Sequence, residues 1–313
     1  MERALRLANA WQRGFPLAPR PFAEIAWRNN SSEEEVLDDF IRLKDLGVLH
    51  RIGPVFRPNT LGASTLAAIA VPQADLARVA AIVSAEAGVN HNYEREHRVN
   101  LWFVVTAPDE TAVEATLTRI EEAAGLPALR LPLLEEFHID LGFDVETRAA
   151  PRESRRADAA SLKDEQRAIL RALGAGLTLV PRAYALCNGS SEESVIDALR
   201  AGLDAGVVRR VGTVLRHRRL GYRANAMAVW DVPDERAREL GRRLGADRAV
   251  TLCYRRARAP AWPYSFYCMV HGRERARVLD EVERLSVLHG LGSFPRAVLF
   301  SRRCFSQRAA CYG

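Results

Sequence analysis

The sequence has little lysine, no closely spaced cysteine pair and no long apolar run. Lys44 and Lys163 are its two lysines, so arginine carries nearly all of the basic charge behind a formal net charge of +6. Arginine forms planar, two-point hydrogen bonds with carboxylates and phosphates, which favours a polyanionic partner, either nucleic acid or a small molecule. A GC-rich genome would enrich arginine too, so charge alone does not choose a partner.

The five cysteines are odd in number, lie in the second half of the chain and form no CxxC pair. This argues against a disulfide framework and against a cysteine-based zinc or iron–sulfur site. No apolar run approaches the roughly 20 residues that span a bilayer, and the N-terminus lacks the apolar core of a signal peptide. We therefore expect a cytoplasmic protein that makes no use of a membrane.

A length of 313 residues suggests about two domains, and the sequence contains an internal repeat. The repeated features follow in the same order over about seventy residues, which argues against chance. They are SSEEEVL at 31–37 and SSEESVI at 190–196, RIGPVFR at 51–57 and RVGTVLR at 210–216, and the pairs Tyr93-x-Arg95 and Tyr254-x-Arg256. We predict a tandem fusion that forms a pseudo-twofold internal dimer, and we leave further homo-oligomerisation open.

Each half begins with short helices and continues with alternating strands and helices. Ser31 or Ser32 can cap a helix that has an acidic first turn and ends at Gly47. A β-hairpin is predicted next, at 48–56 and again at 207–215. The remainder of each half has the order β-α-β-β-α-β, which is ferredoxin-like.

The predicted fold class is therefore α+β, as two tandem repeats of a winged helix-turn-helix and a ferredoxin-like domain. The charged stretch between the repeats contains a proline and has no apolar period, so we interpret it as a linker. The predicted boundaries are 1–60 and 61–145 for the first winged helix-turn-helix and ferredoxin-like domain, 146–160 for the linker, and 161–220 and 221–313 for the second pair.

The predicted strand from His91 to His97 is polar on both faces. Because strand side chains alternate, His91, Tyr93, Arg95 and His97 are expected on one face. Two imidazoles, a phenol and a guanidinium can bind an anion and deliver a proton near neutral pH. The alternative is an exposed edge strand with a solvated charge run.

The second copy of this strand has lost both imidazoles. Aligning Tyr93 with Tyr254 places Leu252 opposite His91 and Arg258 opposite His97. We therefore expect proton chemistry from the first half and chiefly anion binding from the second, with residues borrowed across the interface.

Together these motifs resemble the siroheme decarboxylases, in their form with two fused halves and with the architecture of Lrp/AsnC regulators. The resemblance is carried by the segments 51–62, 91–103, 253–256, 262–264 and 268–272. It implies release of carbon dioxide from the C12 and C18 acetates of siroheme, giving 12,18-didecarboxysiroheme in heme d1 biosynthesis. It also implies no cofactor, since the iron enters with the substrate, and hand-over of the product to other enzymes of that pathway.

Siroheme carries eight carboxylates on a broad apolar ring, so its pocket needs several cations and a large apolar surface. We predict His91 and His97 as proton donors, with Tyr93 orienting one of them or relaying a proton. Either imidazole could instead ligate the substrate iron. The predicted substrate-binding residues are Arg51, Arg57, Arg95, Trp102, Phe103, Tyr254, Arg255, Arg256, Arg258, Trp262 and His271. His50, His138 and His289 are predicted to be structural or exposed.

Two other functions stay open: a sensor that binds heme or siroheme, and a DNA-binding regulator of the Lrp/AsnC type. A helix that reads the major groove needs basic residues on its outer face. The helix after Ser32 instead presents Glu33, Glu34 and Glu35. We therefore expect no DNA binding.

Overall fold

The computed structural model describes residues 1–139, 157–185, 187, 189–310 and 312. Most of the predicted linker, residues 146–156, lies outside these ranges. The elements of the first half are α1 (Glu2–Ala10), α2 (Pro21–Arg28), α3 (Glu33–Asp45), β1 (Leu49–Phe56), β2 (Ala63–Ile69), α4 (Leu76–Ala85), β3 (Val89–Arg95), β4 (Leu101–Ala107), α5 (Glu110–Ala124) and β5 (Ala128–Ile139). Those of the second half are α6 (Asp164–Ala172), α7 (Glu192–Asp204), β6 (Val208–Leu215), β7 (Ala224–Trp230), α8 (Asp234–Gly245), β8 (Val250–Arg256), β9 (Phe266–Gly272), α9 (Arg275–Leu288) and β10 (Arg296–Gln307).

The ends of α3 and α7 follow from their sequences. Ser32 accepts the backbone N–H of Glu35 at 3.2 Å, and the Glu35 carboxylate accepts the backbone N–H of Ser32, which completes a capping box. Ser191 caps α7 by accepting the N–H of Ser194 at 3.1 Å. After α3, Gly47 adopts a φ of 67°, a left-handed conformation that glycine tolerates best. Across the described residues no helix is long and apolar enough to span a bilayer.

The two predicted hairpins are wrong. Each segment forms a single strand, and the two strands, β1 and β6, pair antiparallel with each other from Leu49–Leu215 to Phe56–Val208. Gly53 and Gly212 face each other at the centre of this two-stranded ribbon. These glycines permit close approach of neighbouring backbone instead of a turn. A Cβ at Gly212 would overlap the carbonyl of Gln12, and one at Gly53 would lie 3.2 Å from the Cα of Gly176.

The other eight strands close into a barrel with the order β10-β3-β4-β2-β5-β8-β9-β7. Residues 128–132 of β5 pair with β2, while its residues 133–139 cross to β8 of the second half. In the same way, residues 296–300 of β10 pair with β7 and residues 301–307 cross to β3. The last strand of each half therefore completes the sheet of the other half.

Among the described residues this arrangement produces four apolar cores. One lies among the helices that surround the ribbon, and one lies between the sheet and the helices of each half. The fourth fills the barrel interior with side chains from both halves, among them Trp102, Tyr254, Trp262, Tyr267 and Leu299. Because strand residues alternate, membership of this interior core shows which residues face inward.

The approach of Gln12 to the ribbon predicts a large cost for any side chain at Gly212. Gly212→Ala should lower the unfolding free energy by about 1–3 kcal/mol or more, because the new Cβ meets backbone that cannot rotate away. Urea unfolding measures the loss. Gly292→Ala is the control, since a Cβ there meets nothing within 4 Å. Equal unfolding midpoints for the two variants would contradict this packing.

Candidate active site between the ribbon and the barrel

Strand β3 has one polar face that points into the barrel and, on its other face, the Asn92 amide that contacts a helix. His91, Tyr93 and Arg95 share one face, as predicted. Asn92 is on the opposite face, where its Nδ2 donates to the carbonyl of Ala80 and to Ser84 Oγ on α4, each at 3.0 Å. The polar strand is thus a central strand, paired on both sides by β4 and β10, and the edge-strand alternative is wrong.

Tyr93 is the centre of this face. Its ring is stacked on that of His91 with centroids 6.2 Å apart and an angle of 18° between the planes. The Arg95 guanidinium lies 5.9 Å from the Tyr93 ring centroid. Across the strand pair, Cys304 of β10 faces Tyr93. Burial and then Cys304 raise the pKa of Tyr93, against the opposing charges of Arg95 and Arg218, so the phenol is neutral.

The ribbon adds His50, which sequence reasoning had set aside. The Nδ1 atom of His50 lies 3.2 Å from Nη2 of Arg216, the residue that follows β6. Burial, followed by the charges of Arg216, Arg51 and His91, lowers the pKa of His50 to about 4. Burial alone lowers the pKa of His91 to about 4. Both imidazoles are therefore neutral at pH 7, and an anion bound beside either of them would raise its pKa.

Three guanidinium groups complete the group that we call the first polar cluster. Arg218, in the turn after β6, donates to the carbonyl of Ser301 at 3.1 Å, and Arg95 donates to that of Leu299 at 3.2 Å. Burial lowers the pKa of Arg95 to about 10, so it keeps its charge. Each of Arg95, Arg216 and Arg218 has a buried Nε that meets no hydrogen-bond partner among the described residues. The first polar cluster comprises His50, His91, Tyr93, Arg95, Arg216, Arg218 and Cys304.

Equivalent positions in the second half form a second polar cluster of different chemistry. Arg256 donates to the carbonyl of Leu131 at 2.7 Å and lies 4.7 Å from the Tyr254 ring centroid, as Arg95 lies near Tyr93. Glu136 faces Tyr254 across the strands. The Glu136 carboxylate contacts the guanidinium groups of Arg57, which follows β1, and Arg209, which lies on β6. This second polar cluster comprises Arg57, Arg209, Glu136, His138, Tyr254 and Arg256.

The arginine of the repeated Arg-x-Gly motif does not face either cluster. Arg51 donates to the carbonyl of Pro54 at 2.8 Å and packs against Gly176. Its counterpart Arg210 donates to the carbonyl of Thr213 at 3.0 Å. Arg51, predicted as a substrate ligand, is thus directed away from both clusters, because alternation along the strand turns the preceding residue, His50, toward the barrel.

Three more predicted arginines are held by the chain's own acids or carbonyls. Arg57 contacts Glu136 at 3.7 Å and donates to the carbonyl of Gly206 at 3.3 Å. Arg255 lies on the outer face of β8, 3.8 Å from Glu135 and 3.4 Å from Asp234. Arg258 is paired with Asp231 and Asp234 at 3.0 and 2.9 Å. The structure does not place these three with His91.

The predicted aromatic residues and the remaining histidines are also dispersed. Phe103 packs between sheet and helices, whereas Trp102 and Trp262 meet inside the barrel with ring centroids 4.8 Å apart. His271, on the inner face of β9, has its Nδ1 2.9 Å from Thr251 Oγ1.

His97 lies beyond the end of β3, with its ring centroid 5.2 Å from that of Trp262. Its Nδ1 accepts the backbone N–H of Val99 at 3.0 Å. The four residue steps from His91 to Arg95 already span roughly 13 Å along the strand, and His97 lies farther on. His97 is therefore at the far end of the polar face from His91, and the predicted pair of imidazoles is not a pair in space.

Two family models match the chain. One, described as the AsnC-like ligand binding domain, matches residues 60–138 and 219–306, which together exceed half of the chain. The other, described as the siroheme decarboxylase NirDL-like HTH domain, matches residues 5–49. A helix-turn-helix followed by AsnC-like ligand-binding domains is thus confirmed.

Known relatives match over almost the whole length. The siroheme decarboxylase NirDL subunits of Paracoccus denitrificans and Paracoccus pantotrophus are 44% and 46% identical, over 311 and 312 residues. Each match covers 98% of this chain and 96% of the relative. The chain belongs to the siroheme decarboxylases. A crystal structure of the siroheme decarboxylase NirDL in co-complex with an iron-uroporphyrin III analogue has a TM-score of 0.68 and 26% identity, covering 99% of this chain and 93% of that chain.

In this siroheme decarboxylase, comparison of the two repeats would have revealed part of the site that sequence reasoning missed. His50 stands where the second copy has Arg209, immediately before the Arg-x-Gly motif. A histidine that replaces an arginine beside a shared motif is a signal of divergent function. Glu136 and Cys304 gave no such signal, because the last strands of the two repeats share no obvious motif.

Neutral, half-buried imidazoles predict acid-sensitive stability. In the unfolded chain His50 and His91 bind protons below about pH 6.5, whereas their folded pKa values are about 4. Stability is therefore complete above pH 6.5 and is lost as the pH falls toward 4, by up to about 2 kcal/mol per imidazole at pH 5. Urea unfolding at pH 7 and pH 5 tests this pH dependence by comparing the wild type with the double variant that carries both His50→Gln and His91→Gln. Equal losses in both proteins would contradict the assignment.

Proposed function

We propose that this chain releases carbon dioxide from the C12 and C18 acetates of siroheme, giving 12,18-didecarboxysiroheme for heme d1 biosynthesis. The observation that carries the proposal is the first polar cluster, which combines three guanidinium groups that have unsatisfied buried Nε atoms with two neutral imidazoles. Such a cluster suits a substrate with many carboxylates. The related enzyme crystallised with an iron-uroporphyrin III analogue supports a tetrapyrrole as that substrate.

We further propose that the chain is a tandem repeat arranged as a pseudo-twofold internal dimer. The ribbon supports this, because its register pairs Gly53 with Gly212, the same position of the two repeats. The reciprocal crossing of β5 and β10 supports it as well. In this arrangement each polar cluster draws residues from both halves. His50 and His91 come from the first half, and Arg216, Arg218 and Cys304 from the second.

The reaction needs one proton for each carbon dioxide released. When the bond between the acetate carboxyl and its methylene breaks, the electron pair stays on the methylene carbon and is delocalised into the macrocycle. A proton delivered to that carbon gives the methyl group. We assign this delivery to His91, whose pKa rises from about 4 when substrate carboxylates enter the positive cluster.

The remaining groups of the cluster bind and orient. Arg216 and Arg218 hold carboxylates that do not react, since a guanidinium on the reacting acetate would stabilise the ground state and oppose the loss of carbon dioxide. Tyr93, held neutral, stacks on His91 and keeps its ring in place. The step requires no organic cofactor, and the iron arrives as part of the substrate.

His97 has a different position and is assigned neither proton transfer nor iron ligation. Because its Nδ1 accepts the N–H of Val99, the neutral ring carries its proton on Nε2. That tautomer leaves no free nitrogen lone pair for iron. Its contact with Trp262 supports a packing role at the far end of the barrel.

Single-turnover assays compare the two histidines directly. With siroheme under anaerobic conditions, His91→Ala should slow the loss of carbon dioxide by about 100-fold or more, because the proton donor is gone. His97→Ala should stay within about tenfold of wild type, because it loses packing only. Mass analysis follows the successive losses. The reverse order of effects would contradict the assignment, and a wild type that binds siroheme without losing mass would make the chain a sensor.

Substrate binding should take up protons. If bound carboxylates raise the pKa values of His50 and His91 from about 4, affinity falls as the pH rises through the new values, by up to about tenfold per pH unit for each imidazole. Titration of iron uroporphyrin III between pH 5 and 8 measures this slope. His50→Gln should flatten it. A slope that is the same in both proteins would show that His50 does not protonate on binding.

A further inference from the structure

We propose that each chain binds one tetrapyrrole, because the carboxylate of Glu136 occupies the anion-binding position of the second polar cluster. The inference rests on the proposed function for the nature of the ligand. It goes beyond it by assigning Glu136 as a resident substitute for a substrate carboxylate. Three observations carry it: equivalent positions, the geometry of Glu136, and the residues that differ between the clusters.

The equivalence of the two clusters follows from strand pairing. Tyr93 faces Cys304 on β10, and Tyr254 faces Glu136 on β5. Arg57 and Arg216 are the last residues of the two copies of the segment that forms the ribbon, 51–57 and 210–216. Glu136 therefore stands, relative to the second half, where Cys304 stands relative to the first.

Glu136 is held as a bound carboxylate would be. Its carboxylate contacts Arg57 and Arg209, and the three side chains are only 9%, 19% and 15% exposed. Two guanidinium groups that converge on one carboxylate are a strong anion-binding arrangement. In the first polar cluster the corresponding group is a thiol, so Arg216 and Arg218 face no such carboxylate from position 304.

The other substitutions also favour one active site. Leu252 replaces His91, which removes the proton donor from the second cluster. Arg209 replaces His50, so a permanent cation stands where the first cluster has a group that can gain a proton. Asn59 replaces Arg218, so one cation is absent from the turn after the strand. The second cluster keeps Tyr254 and Arg256, and Arg256 links the two halves by donating to the carbonyl of Leu131.

Titration of iron uroporphyrin III into the full chain tests the proposal by stoichiometry. Wild type should bind one equivalent per chain, and Glu136→Gln, which removes the charge and keeps the size, should gain a second equivalent. Glu135→Gln is the matched control, because the neighbouring residue contacts Arg238 and Arg255 on the outer face. It should bind one equivalent. Two equivalents in wild type, or one in folded Glu136→Gln, would overturn the proposal.

The reciprocal exchange covers the case in which Glu136→Gln does not fold. Cys304→Glu places a carboxylate beside Arg216 and Arg218 and should weaken binding of the single equivalent at least tenfold more than Cys304→Gln, which adds the bulk without the charge. Equal losses would overturn the proposal. One equivalent bound without release of carbon dioxide from siroheme would contradict the proposed function and leave this inference standing.

Discussion

The exchange of terminal strands between the two halves is the constraint on which the rest of the structure depends. β5 and β10 each begin in the sheet of their own half and end in the sheet of the other. Their crossing closes the barrel, satisfies the sheet edges and creates an apolar interior that neither half could bury alone. It also decides the neighbours of β3 and β8. Cys304 and Glu136 reach their polar clusters only because the strands cross.

Within that frame, burial sets the chemistry of the first polar cluster. Desolvation makes charge expensive, so both imidazoles are neutral and the phenol keeps its proton, while the Arg95 guanidinium stays charged although burial lowers its pKa. The result is a positive surface with titratable groups that an incoming polyanion can switch. The same physics in the second polar cluster has a different outcome, because a carboxylate from the chain already offsets the arginines.

The sequence was sufficient for the features that local patterns determine. The order β-α-β-β-α-β and the cap at Ser32 depend on periodicity and on residues close in the chain. The hairpin predictions failed because each segment finds its partner about 160 residues away, in the other half of the chain, and no local pattern encodes that choice. The direction of the Arg51 side chain was not predictable for a related reason. The Arg51 side chain donates to the carbonyl of Pro54 on its own strand. Because strand side chains alternate, the neighbouring residue His50 faces the candidate site instead.

The crossing of strands also has a consequence for synthesis of the chain. When the first half has left the ribosome, residues 133–139 of β5 and the whole of β1 still lack their partners, which belong to β8 and β6. The nascent first half therefore exposes two unpaired edges until the second half emerges, and such edges promote association between chains. Because both halves belong to one chain, the correct partner strands stay tethered nearby, which favours their pairing over association with another chain.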